Sequence, residues 1–176
     1  LAVHEGGRDA ESFGKTGKKA RDFITLREKA AGGDPAAKID FLVAQLEAGQ
    51  VGDEEAEKRL KELGKQTPEQ AKKIAALRTG AAVKAVLAGI KDEKGAEEAG
   101  RKVLAMKKAG RPEPHGDAEV QPFWILMMQA AEKDKDVATY EEALKALKAR
   151  FGNVEEAKEF FKKSEATLQT LKEGKK

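Results

Sequence analysis

The sequence predicts an all-α fold of about eight amphipathic helices, arranged as a bundle or a short stack of helical hairpins. Three observations carry this. The chain is 37% charged and only 5% aromatic; Ala, Glu, Lys and Leu dominate it, and these side chains lose little or no rotamer freedom in a helix. Apolar residues recur at spacings of three and four along most of its length. Gly, Asp-Pro and Thr-Pro signals punctuate the stripes at intervals suited to short loops. A sheet would call for more β-branched residues than are present.

Residues 1–17 are polar and Gly-rich and read as an irregular lead-in or linker. Gly14-Lys15-Thr16 has the form of the end of a phosphate-binding loop. The required Gly five positions earlier is replaced by Asp9, and no strand precedes it. A single helical domain is expected over residues 18–173. Its first helix, from Lys18 to Ala31, places Ala20, Phe23 and Ile24 on one face and stops at Gly32-Gly33. Asp34-Pro35 then supplies a cap and a first-turn Pro for a helix bearing Ile39, Leu42, Val43 and Leu46. A short helix after Asp53 carries Ala56, Leu60 and Leu63.

Thr67-Pro68-Glu69-Gln70 is a capping box. It opens a helix with Ile74 and Leu77, which Gly80 is placed to interrupt before Val83, Val86, Leu87 and Ile90. Asp92 caps a helix with Ala96, Ala99, Val103 and Met106. The stretch over residues 110–118 holds two Pro and two Gly within Gly110–Asp117 and is where the domain would subdivide. Next comes the central helix, near residues 120–132. Pro122–Met128 contains the one Trp and two of the three Met. Apolar on every side, it is expected to be buried on every side, with Pro122 in its first turn. Asp136 caps a helix with Tyr140, Ala143, Leu144, Leu147 and Phe151. Asn153-Val154-Glu155-Glu156 is a second capping-box pattern, opening a last helix with Val154, Ala157, Phe161, Ser164, Leu168 and Leu171.

Composition excludes several chemistries. Without Cys there is no disulfide, thiolate nucleophile or Cys-ligated metal. Two His cannot build a three-His metal site. His115, between Glu113 and Asp117, reads as a solvated loop residue rather than a cation ligand, and Ser12 and Ser164 offer no triad. Paired glutamates such as Glu54-Glu55 and Glu155-Glu156 sit where negative charge favours a helix N-terminus. Basic and acidic residues number 34 and 31, giving net charge +3. Because the two signs interleave, no basic stripe for nucleic acid forms. No apolar run approaches membrane-span length, and no signal peptide is expected within these residues. The chain begins with Leu rather than Met, so a processed form or a fragment of something longer is expected.

Two resemblances accompany these readings. Tyr140-Glu141-Glu142-Ala143-Leu144-Lys145-Ala146-Leu147 is similar to the second-helix pattern of tetratricopeptide repeats, and Ala30–Ala37 resembles the small-residue turn between such helices. A regular 34-residue period is absent. Phe41–Gly49 and Gln121–Trp124 look similar in style to the helical extension that follows the thioredoxin-like domain in some bacterial secreted proteins. That resemblance implies an accessory, extracytoplasmic part without redox activity of its own.

The expected function is therefore a non-catalytic helical protein-interaction module with no cofactor, binding a protein partner or itself. Alternatives are a self-assembling structural subunit and a small-molecule binding protein with a pocket beside Trp124. The expected interaction surface is Arg111, Pro112, Pro114 and His115 with Trp124.

Overall fold

In the computed structural model, residues 10–174 are described. They form eight α-helices and one 3-10 turn, with no strand among the described residues. Helix α1 spans Ala10–Ala31, so it starts eight positions before the expected Lys18. Gly14 and Gly17 each cost about 1 kcal/mol relative to Ala in a helix interior, but each is flanked by residues that propagate a helix once it is nucleated. Gly14-Lys15-Thr16 thus lies within a helix, not in a phosphate loop. His4 and Gly6-Gly7 lie outside the described residues.

Gly33 ends the α1 hairpin in the left-handed region, at φ +92°. The Asp34 carboxylate then accepts from the N–H groups of Ala36 (2.9 Å) and Ala37 (3.2 Å), and α2 runs over Pro35–Glu47. Helix α3 spans Asp53–Glu62. Its cap is Gly52, not Asp53 as the sequence suggests. Asp53 instead sits in the first turn, where the dipole favours it and where its carboxylate receives Arg78 Nε at 2.7 Å. Helix α4 spans Pro68–Ala88 and passes through Gly80 without a break. Its capping box is reciprocal: Thr67 N–H donates to Gln70 Oε1 (3.0 Å), and Gln70 N–H to Thr67 Oγ1 (3.2 Å).

The chain forms two compact units, one up to Ala81 and one from Ala82. The division falls within α4, whereas the 110–118 loop, where the sequence suggested a subdivision, lies inside the second unit. The first unit has its own core of Ile39, Leu42, Val43, Leu46, Val51, Ala56 and Ile74. Around it, Arg78 joins Asp53 and Glu57 (2.8 Å), and Lys73 joins Glu47 (2.8 Å).

The second unit comprises the end of α4, α5 (Glu93–Lys108), α6 (Asp117–Lys133), α7 (Val137–Phe151), a 3-10 turn at Glu155–Ala157 and α8 (Lys158–Glu173). Asp92 and Asp136 cap α5 and α7 through Gly95 N–H (2.7 Å) and Thr139 N–H (3.2 Å). Both α5 and α7 pack on α6, and α8 packs on α7. Helix α6 buries Val120, Phe123, Trp124, Leu126, Met127, Met128, Ala130 and Ala131; each large apolar side chain so buried contributes about 1.5–3 kcal/mol. This is the central buried helix expected near 120–132, and it is the hub of one core out of two. Its Ile125 is only half-buried.

Two local expectations differ. Helix α6 begins at Asp117, so Pro122 sits in the second turn and not the first. The N–H that Ala118 C=O would have received is missing, and Ala118 is exposed, where water can take its place. Asn153 gives no side-chain cap: the chain makes the 3-10 turn first, and Val154 is left 43% exposed.

The buried hydroxyls of Thr79 and Ser164 are each satisfied within their own helix. Thr79 Oγ1 donates to Ala75 C=O at 3.0 Å and Ser164 Oγ to Phe160 C=O at 2.9 Å. Tyr140 O–H donates to Ser164 C=O at 3.3 Å, joining α7 to α8.

Candidate functional site

Helix α5 ends at Lys108 with Ala109 as its C-cap, and Gly110 takes φ +79°. Arg111 N–H closes the turn on Met106 C=O at 3.1 Å. Residues 111–114 then run without regular structure. Proline fixes φ near −65°, and a residue preceding proline is held extended, so the alternating order Arg111-Pro112-Glu113-Pro114 stiffens an extended strap.

The five sequence-derived surface residues separate here. Pro112 and His115 are exposed, Arg111 is half-buried, and Pro114 and Trp124 are buried. Trp124 is 4% exposed. Its ring meets Phe123 edge-on at 5.1 Å, a favoured geometry for aromatic quadrupoles. Its indole Nε1–H donates to Glu113 Oε1 at 3.1 Å. The same carboxylate oxygen receives Arg150 Nη2 at 3.1 Å, and Arg150 Nη1 reaches Asp117 at 2.8 Å. Lys107 Nζ lies 5.1 Å from the Trp124 ring centroid and 2.7 Å from Glu142. The strap is thus tied to α7 and α6 through one carboxylate. Glu113 and Asp117, the carboxylates flanking His115, both face Arg150 and leave no free pair for a cation. Among the described residues no group of three or more His, Asp or Glu has a metal-holding arrangement. No helix of the described residues is long and apolar enough to cross a membrane.

Sequence reasoning missed Arg150, Lys107 and the role of Glu113. Glu113 carried a local signal, a carboxylate between two prolines. Arg150 lies 37 positions further on, at the end of an ordinary amphipathic helix, and nothing in the local pattern ties it to Trp124.

The first unit carries a second feature, an open cleft of about 440 Å³ lined by α1, α2 and α3. Its apolar residues are Ala30, Phe41, Leu42 and Leu63, with Phe41 held against Phe23 at 5.2 Å between ring centroids. One wall presents Lys38 and Gln45, a two-turn interval on α2; the other presents Glu55, Lys58, Arg59 and Glu62 on α3. These intervals of three, four and seven put each wall on one helical face. Arg59 bonds Glu55 (2.8 Å) and Gln45 (2.9 Å), and its hydrogen bond and positive charge hold the Glu55 carboxyl below its ordinary pKa. Lys38, Lys58 and Glu62 are exposed and take no ion partner among the described residues. The cleft therefore has an apolar floor, an internally neutralised stretch, and two ammonium groups and one carboxylate outside any ion pair among the described residues.

Among the described residues, Tyr140 is the titratable group whose shift is caused chiefly by burial. Its pKa is pushed up by desolvation, against the opposing effect of its bond to Ser164. Its bond to Ser164 makes it an inter-helix tie. Comparison with known protein families, with curated proteins and with solved structures finds no match for this chain.

Proposed function

We propose that this chain is a non-catalytic helical interaction module that binds a protein partner through the α1–α3 cleft of its first unit. The cleft carries the reading: apolar surface between two helical walls suits the apolar stripe of a partner segment. Lys38 and Lys58 favour a segment with acidic residues beside that stripe. Electrostatic matching of this kind contributes more to specificity and encounter rate than to affinity. Trp124 is covered by its own chain, so the geometry favours the cleft over a pocket beside the indole.

The test compares crosslinked partners of the wild-type chain with those of a Lys38→Glu, Lys58→Glu variant. Both substitutions are at exposed positions and leave the core intact. A partner held by the wild type and lost by the variant is expected. An identical partner set for both chains, or none for either, contradicts the reading.

A further inference from the structure

We infer that the strap over Trp124 is an internal ligand, and that the surface it covers recognises an acidic, proline-containing segment of a partner protein. This proposal stands apart from the α1–α3 cleft. The observation behind it is how the strap is held. Pro112 and Pro114 have no N–H to give, and the backbone of residues 112–115 makes no hydrogen bond to the rest of the described chain. The polar contacts that hold it are those of the Glu113 side chain, and Pro114 next to it is buried.

The receiving surface has three parts. The Trp124 indole offers one N–H, 3.1 Å from the Glu113 carboxylate. Arg150 brings a guanidinium to the same oxygen at 3.1 Å and to Asp117 at 2.8 Å. Lys107 sets an ammonium 5.1 Å from the ring centroid. An indole whose N–H edge already meets a carboxylate, flanked by cations that also pair with Asp117 and Glu142, is complementary to an anion carried on extended proline-bearing backbone. Such a segment is already ordered before it binds, which lowers the entropic cost of docking. The chain's own Pro-Glu-Pro meets that description, and its position on a short loop gives it an effective concentration of about millimolar. A partner segment of the same chemistry competes by displacing it.

The experiment uses the full chain with Glu113→Ala and reads acrylamide quenching of its single Trp. The probe is a synthetic peptide copying residues 109–116. Removal of the carboxylate is expected to raise quenching with helix content unchanged, and the peptide is expected to reverse the rise saturably. A peptide with Gln in place of Glu should need roughly tenfold higher concentration, the scale of one charge-assisted hydrogen bond. Unchanged quenching in the variant, or a rise that the peptide does not reverse, overturns the proposal. Protection that returns with protein concentration alone assigns the surface to a second copy and overturns the partner assignment. If Glu113→Ala loses helix content, Glu113→Gln decides by the same readout: a rise reversed by the glutamate peptide supports the proposal, and no response overturns it.

Discussion

At the residue scale, Trp124 and Tyr140 define what the second core depends on. Trp124 is closed in by Phe123, Lys107 and Glu113. Trp124→Ala should lower unfolding free energy by about 3–5 kcal/mol, as large aromatic truncations in cores do, measured by denaturant titration; a loss below about 1 kcal/mol would place the indole at a surface. Tyr140 predicts a pH effect. Its folded-state pKa is raised, so the folded state holds the phenolic proton more tightly than the unfolded state. The stability Tyr140 contributes is fully present below the ordinary Tyr pKa of about 10 and is lost as pH rises through that value towards the folded pKa. Because this is the one Tyr, its phenolate absorbance reports the titration directly. Wild type should lose stability above the ordinary pKa more steeply than Tyr140→Phe, and equal slopes would remove the assigned burial effect. The burial of both residues was legible from helical spacing. Their partners were not, because Glu113, Arg150 and the Ser164 carbonyl come from other elements, and spacing within one helix carries no information about them.

At the element scale, caps were legible where a short polar side chain precedes a helix that tertiary packing also favours. Asp34, Asp92, Asp136 and the Thr67–Gln70 box all bond as their positions suggest. Asn153 has the same local pattern and does not cap, since a 3-10 turn intervenes before α8. Asp53 yields the cap to Gly52 and pairs with Arg78 of α4. The early start of α1 was hidden because Gly weighs against a helix without excluding it. Tyr140–Leu147, which carries the tetratricopeptide resemblance, buries Tyr140, Ala143, Leu144 and Leu147; any core-facing amphipathic helix does the same. Packing of α5 on α6 rests on a close approach at Gly100, where an added Cβ would stand 2.7 Å from Leu126 C=O and 3.1 Å from Ala130 Cβ. Gly100→Ala gains about 1 kcal/mol in helix propensity, but a backbone oxygen cannot turn aside as a side chain does. A net destabilisation of about 1–3 kcal/mol is expected from overpacking, read as a lower thermal midpoint. A higher midpoint would mean that the two helices are not in contact there.

At the scale of the whole molecule, the all-α class followed from composition and period alone, while the two cores did not. Every helix offers an apolar stripe, and a stripe does not say which other stripes it meets. Ile74 and Val83 lie on the same helix, yet one belongs to the first core and the other to the second. The central claim is that two separate cores carry the fold, with residues 112–115 of the strap held over one of them by side chains rather than by backbone bonds. Native-state amide hydrogen exchange on the intact chain tests it most directly, since protection reports local opening. The account predicts slow exchange in two groups, one around Leu42, Val43 and Leu46 and the other around Val103, Met127 and Leu144, with Glu113 and His115 exchanging fast. Protection confined to the α5–α7 group, or slow exchange at Glu113 and His115, would contradict it.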